Sequence, residues 1–265
     1  MLYFPQLLSG ATAQYPLLKR RVCRTIASVT AEARMLKLSD PGWSRLEWEM
    51  TLQTLTTEER AELAAFHGAA EGCLGAFTFL DPTENLLAWS GDPGQTLWTK
   101  EPFLGLVSGV ADPEGGAEAC RVTNGGTLAQ ALQQTIEGPG WFHYCFSLYV
   151  RSQSPGVLGV YRSTGGNEAG AAYSVGPAWR RLTHAGRSQG TAESVTFGIR
   201  LNPASTVEVY GMQVEAQLAP SAYRKTMSRS GVHQAARFDN DVLTMVSDGP
   251  EQHSCKVRIV APLIG

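Results

Sequence analysis

Histidine is a common general base and metal ligand, so its positions are considered first. Five histidines occur in the 265 residues, far apart and without an H-E-x-x-H or H-x-H pattern: His67, His143, His184, His233 and His253. Such patterns place two histidines on the same face of a helix or strand, where both can bind one metal ion, whereas isolated histidines are not paired in this way. We therefore expect structural histidines, no catalytic residues, no metal centre and no enzymatic activity.

The cysteines form no redox or metal motif. They are odd in number, widely separated and without a C-x-x-C pair: Cys23, Cys73, Cys120, Cys145 and Cys255. Close pairs are typical of zinc sites and of thiol–disulfide exchange. We expect free, buried thiols in a protein made in a reducing cytoplasm, and no cofactor.

One acidic loop deserves comparison with a calcium site. Asp112-Pro113-Glu114-Gly115-Gly116 carries carboxylate oxygens, which calcium prefers. The loop lacks the alternating acidic residues of a calcium-binding loop, so a plain turn is the favoured interpretation and a structural calcium ion is the alternative.

Aromatic rings are the candidate ligand contacts, since planar rings stack on the apolar faces of sugars. Six rings come into question: Trp89, Trp98, Trp141, Tyr161, Tyr173 and Trp179. Rings on strands more often belong to a core, whereas Trp89 and Trp98 lie in turn-rich sequence. We predict Trp89 and Trp98 as glycan-binding residues.

Composition limits the class of protein. Charged residues make up 17% of the chain, and the 28 glycines and 14 prolines are typical of short strands joined by tight turns. A net charge of −2 provides no field that would attract nucleic acid, so we expect no nucleic-acid partner. The amino terminus lacks a basic start followed by a long apolar run, so we expect no secretion signal. No apolar stretch approaches eighteen residues, so we expect no membrane insertion.

The first eighty residues predict strands around one helix. Trp43 to Leu52 alternates apolar and polar residues, after a turn predicted at Asp40-Pro41-Gly42. Thr56 and Glu59 form the T-x-x-E pattern of a capping box and predict a helix over 57–69. The strand Ala76 to Pro82 follows, ended by Asp-Pro.

This order of an amphipathic W-E-M strand, a capped helix and the segment Phe77-Thr78-Phe79-Leu80-Asp81 resembles the amino-terminal domain of distal tail and minor tail proteins of long-tailed phages and gene transfer agents. The resemblance implies a ring of identical subunits, sixfold, at the tail tip of a virion. It also implies contacts with the tail tube and tail hub, and synthesis in the cytoplasm of the bacterial host.

The middle of the chain has a different pattern. Turns recur about every dozen residues between Glu84 and Thr226, as in a sandwich of antiparallel strands. In Val207 to Gln217, four apolar residues are expected to face a core, while Glu208, Gln213, Glu215 and Gln217 are expected to face water or a partner. This segment resembles the last strand of the carbohydrate-binding-module-like jelly rolls appended to phage tail proteins.

The last forty residues predict two short strands that cannot bury themselves alone. We expect them to pair with the amino-terminal strands, giving a mainly β protein in which a β-rich tail-protein domain with one short helix (residues 1–83 and 227–265) carries an inserted antiparallel jelly roll (residues 84–226). The predicted function is a structural tail-tip component that displays the jelly roll for attachment to host-surface polysaccharide. The alternative is a free-standing, lectin-like carbohydrate-binding protein.

Overall fold

The computed structural model describes residues 1–188 and 190–263. The chain divides into two compact units: unit 1 comprises Met1–Leu8, Ala13–Phe79 and His233–Gly265, and unit 2 comprises Ser9–Thr12 and Leu80–Val232. The elements in chain order are β1 Leu17–Val29, β2 Met35–Leu55, α1 Thr57–Ala69, β3 Phe77–Leu80, β4 Thr99–Lys100, β5 Leu104–Val110, β6 Ala119–Asn124, β7 Gln130–Glu137, β8 His143–Arg151, β9 Gly156–Thr164, β10 Asn167–Val175, β11 Arg180–Arg187, β12 Ser194–Leu201, β13 Thr206–Glu215, β14 Val232–Phe238, β15 Met245–Gly249 and β16 Gln252–Pro262. In the part of the chain that the structure describes, no helix has the length and apolar character needed to cross a membrane.

Unit 1 is built on a sheet with the strand order β1-β2-β16-β14-β3, with β15 also paired to β16. The alternating residues Trp48, Met50 and Leu52 of β2 are fully or almost fully buried, because they face the core below the sheet. On the other side of β2, β16 pairs antiparallel from His253 to Pro262. The predicted pairing of the final strands with the amino-terminal strands is therefore observed.

Helix α1 covers this core and spans the predicted residues. Its start is fixed by a capping box in which the Glu59 N–H donates to Thr56 Oγ1 at 3.1 Å and the Thr56 N–H donates to Glu59 Oε2 at 2.9 Å. Leu63 and Phe66 are buried, and the Phe66 ring meets the rings of Phe4 and Phe77 at centroid distances of 5.7 and 5.0 Å. Edge-to-face packing of this kind adds to the area the rings bury.

The predicted turn at Asp40-Pro41-Gly42 is wrong, because β2 runs through these residues. Residues 41–44 have no partner in the pairing of β1 with β2, which resumes at Arg45. Such a bulge accommodates a proline, which has no N–H to give to a ladder. The reversal of the chain comes earlier, where the Thr30 N–H donates to the carbonyl of Arg34 at 2.9 Å.

Unit 2 is a sandwich of two five-stranded antiparallel sheets. We call β10-β9-β12-β7-β4 the front sheet and β11-β8-β13-β6-β5 the back sheet. Strands β5 and β4 lie at sheet edges and were not predicted, because their short sequences show little alternation. The segment Thr123-Asn124-Gly125-Gly126 leads from the back sheet to the front sheet, and Thr164-Gly165-Gly166-Asn167 joins β9 and β10 in a hairpin.

The polar face of β13 was expected to face water or a partner, but it is buried within the chain itself. Glu208, Gln213 and Glu215 are 3%, 0% and 0% exposed. The chain after β13 folds back over this face, where the Ser221 N–H and hydroxyl donate to the Glu215 carboxylate at 3.0 and 2.5 Å. The side-chain oxygen Oε1 of Gln213 accepts the backbone N–H of Arg224 at 2.7 Å. These buried polar groups therefore have hydrogen-bond partners within the chain.

A single buried asparagine joins the segments that enter and leave unit 2. The Asn85 side-chain amide donates to the carbonyls of Met212 and Arg224 at 2.9 and 3.3 Å. Its carbonyl oxygen accepts the N–H groups of Leu87 and Val214, both at 3.0 Å. Asn85 is fully buried, so each of these backbone groups depends on it rather than on water.

We predict that Asn85→Ala lowers the free energy of unfolding of unit 2 by about 3 kcal/mol, because it leaves buried backbone groups without hydrogen bonds. The measurement is urea unfolding combined with hydrogen exchange of unit 2 peptides. Asn240→Ala is the matched control, because Asn240 is exposed and accepts the Val242 N–H at 3.0 Å. Equal exchange protection in the two variants would contradict the role assigned to Asn85.

Candidate functional site

The two tryptophans predicted to bind glycan lie beside each other in unit 2. Trp98 is 5% exposed, and its indole N–H donates to the carbonyl of Trp89 at 3.1 Å. Trp89 is half-buried and has a positive φ of 50°. Trp98 therefore offers little ring surface to a ligand and Trp89 offers more; glycan contact by either residue stays a prediction.

The other candidate rings are spread over the sandwich. Trp141 is 43% exposed, and the Tyr173 hydroxyl donates to the carbonyl of Thr183 at 2.7 Å. The half-buried Trp179 ring lies under the Arg151 guanidinium, 4.8 Å from centroid to Cζ. Tyr161 is the ring that lies within an organised polar surface.

That surface is the outer face of the front sheet. Strand pairing places Gly170, Tyr161, Gly198, Gln133 and Thr99 in one row across the five strands. Directly paired residues share a face of a sheet. A Cβ atom at Gly198 would lie 2.7 Å from Cζ and the hydroxyl oxygen of Tyr161, so only glycine at this position lets the phenol ring lie flat over β12.

An ion pair covers the Tyr161 ring. The Arg200 guanidinium carbon lies 4.6 Å from the ring centroid, and its two terminal nitrogens donate to the Glu168 carboxylate at 2.6 and 2.8 Å. The hydrogen bonds from Arg200 hold the pKa of Glu168 below its usual range. Tyr161 is only 3% exposed, its hydroxyl donates to Gln133 Oε1, and burial raises its pKa to about 12.

Beside this pair the face forms a depression of about 380 Å³. Its lining includes small residues on β9 and β10 and polar side chains at the rim: Gly159, Gly170, Ala172, Glu168, Arg200 and Asn202. Each side chain of the pair is about 40% exposed, so it keeps access to solvent. Guanidinium donors beside carboxylate acceptors suit the hydroxyl groups of a sugar, whereas the covered ring is not available for stacking.

Sequence reasoning named Tyr161 among six rings but missed the residues that organise this face. Arg200 and Glu168 are far apart in sequence and meet only through the pairing of β9 with β10 and β12. The usable signal was glycine inside strands: Gly159, Gly170 and Gly198 each interrupt a strand pattern, which marks a close approach by another group.

The Asp112 loop is a turn in which the acidic side chain is occupied. The Asp112 carboxylate accepts the N–H groups of Glu114, Gly116 and Glu118 at 2.8 to 3.0 Å. These hydrogen bonds, led by that from Glu118, lower the pKa of Asp112. Within residues 1–188 and 190–263, no three His, Cys, Asp or Glu side chains lie close enough together to hold a metal ion.

The cysteines are all free, as predicted, but only three of them are buried. Burial raises the pKa of Cys145 to about 12 and of Cys255 to about 11, which keeps these thiols protonated. Cys23 is exposed and Cys73 is half-buried, because they lie outside the two cores.

A buried arginine and a histidine meet on the inner side of β9. Arg162 is 7% exposed, and it donates to Ser188 Oγ at 3.2 Å and to the carbonyl of Arg187 at 2.7 Å. Its Nη1 lies 3.0 Å from Nε2 of His184. Burial, and then the charge of Arg162, lower the pKa of His184. His184 is therefore the neutral partner of a buried cation.

The residues from Gly186 to Gly190 spell G-x-S-x-G, the letters of a hydrolase nucleophile turn. That turn leads from a strand into a helix, whereas here Gly186 and Arg187 end β11 and the next element along the chain is the strand β12. The Ser188 hydroxyl accepts a hydrogen bond from Arg162. The sequence pattern is therefore present without the strand-to-helix turn that exposes a nucleophilic serine in hydrolases.

Unit 1 presents a second surface, which we call the arm: residues 17–45, comprising β1, the turn and β2 as far as Arg45. Within residues 1–188 and 190–263, the pairing of β16 with β2 begins at Arg45, so the described part of the arm before Arg45 is a two-stranded ribbon of β1 and β2. Ile26 pairs with Leu38 and both lie on the face that carries Leu36. These three side chains are 47%, 62% and 53% exposed.

Charge is segregated within unit 1. The arm holds seven lysine or arginine residues and two acidic residues, whereas the rest of unit 1 holds four basic and ten acidic residues. The acidic residues include Glu58, Glu59 and Glu62 in the first turns of α1. Burial, and then repulsion from Glu58 and Glu59, raise the pKa of Glu62, as expected where like charges are crowded.

The comparisons with known proteins give likenesses of fold over about half of the chain. No protein-family model and no curated protein matches the sequence. One similar structure is the enzymatically active domain of tailspike protein 4 of bacteriophage CBA120, with 12% identity and a TM-score of 0.41 over 52% of this chain and 22% of that chain, so the match spans about a fifth of that protein. Two further similar structures are family 22 carbohydrate-binding modules. The C-terminal module of Clostridium thermocellum Xyn10B has 16% identity and a TM-score of 0.42 over 52% of this chain and 96% of that chain. The CBM22-1 xylan-binding domain of Paenibacillus barcinonensis Xyn10C has 15% identity and a TM-score of 0.42 over 54% of this chain and 99% of that chain.

We predict that unit 2 loses stability as the pH falls from about 7 to 5. The pKa values of His143 and His184 are both lowered, in each case first by burial and then by neighbouring arginines. The unfolded chain therefore binds more protons than the folded chain below about pH 6.5, the ordinary histidine pKa, and the stability supplied by the neutral histidines is lost there. Carboxylates such as Asp112 titrate at lower pH and do not contribute in this window.

The measurement is urea unfolding at pH 7, 6 and 5 for the wild type and for His184→Gln. The glutamine keeps a hydrogen-bond acceptor near Arg162 but cannot gain a proton. We expect the variant to lose less stability than the wild type between pH 7 and 5. An identical loss in both proteins would show that His184 is not responsible.

Proposed function

We propose that this chain is a structural subunit of a phage or phage-like tail, in which unit 1 associates with copies of itself in a ring at the tail tip and unit 2 binds glycan at the host surface. The proposal combines the sequence resemblance to distal tail proteins with two surfaces, the arm and the outer face of the front sheet. It includes the tail tube and tail hub as further partners, and it involves no catalysis.

The observation that carries self-association is the exposed ribbon of the arm. A two-stranded hairpin is marginally stable in water unless other structure covers one of its faces. The face with Ile26, Leu36 and Leu38 is exposed in the single chain, and it is apolar. Cover from a neighbouring copy would remove both the apolar surface and the open edge of β1 from water.

The charges of unit 1 favour head-to-tail association. The arm carries a net charge of +5 and the rest of unit 1 carries −6, so the arm of one copy complements the body of the next. The crowded carboxylates at the start of α1, including Glu62, would gain from an approaching cation. An interface between two different surfaces of identical subunits forms a closed ring when the rotation between neighbours completes a circle.

The proposed role of unit 2 rests on the polar depression beside Arg200 and Glu168. A single shallow site of this kind binds a neutral sugar weakly, because most of its contacts remain accessible to water. Several copies held in one ring would convert weak single contacts into firm attachment.

We predict that Ile26→Ser combined with Leu38→Ser converts the assembled protein to a monomer, because the arm loses its exposed apolar face. The measurement is size-exclusion chromatography with light scattering at micromolar concentration, with negative-stain images of the wild-type peak. Leu74→Ser is the control, since Leu74 is 68% exposed in unit 1 outside the arm. High salt should also weaken the wild-type assembly, because the complementary charges are screened.

A wild-type protein that stays monomeric at all concentrations would contradict the ring. If the same monomer bound glycan, the lectin-like alternative would replace the tail-subunit proposal. If the arm variant assembled as the wild type does, the basic residues of the arm would serve only to keep the edge strand from unwanted pairing.

We predict that Arg200→Ala and Glu168→Gln each weaken binding of neutral oligosaccharides at least about tenfold, because each removes charge-assisted hydrogen bonds to sugar hydroxyls. A glycan array identifies the sugar, and titration calorimetry measures the affinity. Arg180→Ala is the control, since Arg180 is exposed on β11 of the back sheet. Unchanged affinity in both front-sheet variants would move the binding site elsewhere.

A further inference from the structure

A second depression lies at one end of the sandwich in unit 2. It has a volume of about 270 Å³ and is lined by Arg121, Glu208 and the connections at residues 152–157 and 204–207. Val157 lines both this depression and the one on the outer face of the front sheet. The two depressions therefore adjoin, and a chain-like ligand on the front sheet would continue into the second one.

The carboxylate of Glu208, which lines the second depression, lies between the guanidinium groups of Arg121 and Arg151. Glu208 Oε1 accepts Arg121 Nη2 at 2.7 Å and Nε at 3.1 Å, and Glu208 Oε2 accepts Arg151 Nε at 2.5 Å. Glu208 is 3% exposed; burial pushes its pKa upward, but the hydrogen bonds from the two arginines outweigh burial and hold the pKa below its usual range. The cluster keeps a net charge of +1.

The two arginines differ in the hydrogen-bond donors that they leave available to a ligand. Arg151 is fixed above the Trp179 ring at 4.8 Å, and its Nη2 donates to the carbonyl of Ala111 at 3.4 Å. Arg121 has a side chain that is 46% exposed and lines the depression. Within residues 1–188 and 190–263, the hydrogen bonds of Arg121 use only Nε and Nη2, so Nη1 keeps its two donors for a ligand.

We propose that this end depression is a subsite for a carboxylate-bearing sugar unit, which Arg121 binds while neutral units of the same oligosaccharide lie along the front sheet. The inference rests on the proposed glycan-binding function of unit 2 and names the class of ligand. Glu208 is a positioning residue here, because it orients the Arg121 guanidinium and does not itself meet the acidic sugar. Ser154, Ser205 and Thr206 also line the depression, and serine and threonine hydroxyls are suitable partners for sugar hydroxyls.

The test compares acidic oligosaccharides with their uncharged methyl esters, which differ only at the carboxyl group. Oligogalacturonate and oligomannuronate, each beside its ester, are titrated into the full-length wild-type protein. We expect at least one acid to bind about tenfold more tightly than its ester, as a charge-assisted hydrogen bond supplies. The preference should fall at high salt, because Arg121 is half-exposed and its charge is screened.

Arg121→Gln should abolish the preference for the acid over its ester, whereas Arg180→Gln should leave that preference and the affinity for the esters unchanged. Thermal unfolding of each variant verifies that the sandwich is intact, and the salt dependence of the wild type tests the same charge without a substitution. Esters that bind as tightly as the acids would overturn the acidic subsite and leave the neutral glycan site standing. A sulfated oligosaccharide preferred over both acids would overturn the choice of carboxylate, and absence of all sugar binding would overturn the subsite together with the glycan function.

Discussion

Unit 1 depends on the pairing of the last strand of the chain with its second strand. Nine residues of β16, from His253 to Pro262, pair with the half of β2 that carries Trp48 and Met50. Without β16 this half of β2 would lose one ladder of hydrogen bonds, and Val257 and Ile259 would be missing from the core. Contacts between residues two hundred positions apart carry a large loop-closure cost, which is lowered when the intervening chain is already compact. Unit 2 meets that condition, since Asn85 binds its entering and leaving segments to each other.

The sequence was sufficient for the elements whose patterns are local. The capping box at Thr56 and Glu59 predicts the start of α1, since both hydrogen bonds lie within four residues. The alternation from Leu46 to Leu52 predicts a strand buried on one side. The bulge at Asp40-Pro41-Gly42 could not be predicted in this way, because the same letters favour a turn and only the register with β1 distinguishes the two outcomes.

Buried polar groups were the main source of error, and the reason is physical. The carboxylate and amide groups of Glu208, Gln213 and Glu215 alternate with apolar residues, which indicates a face in water when strands are considered singly. Distant segments supply hydrogen-bond partners that offset the free-energy cost of burying these groups: Ser221 for Glu215, and Arg121 with Arg151 for Glu208. Such partners are visible only after folding. The front-sheet site was hidden for the same reason, apart from the glycines within strands that mark where Tyr161 lies against β12.

The two units divide the requirements of the proposed function between separate cores. Self-association requires an exposed apolar face and segregated charge. These features promote aggregation of a free protein unless a neighbouring subunit covers them. Glycan binding requires polar groups that remain accessible to solvent, such as the ion pair of Arg200 and Glu168. The charges of these two side chains neutralise each other, so they would not oppose the proposed assembly of unit 1. Asn85 joins the entering and leaving segments of unit 2, so substitutions in the depressions of unit 2 are expected to leave the strand pairing of unit 1, and with it the proposed ring, unaltered. Under the proposed function, a change of surface ligand would therefore require substitutions in the sandwich alone.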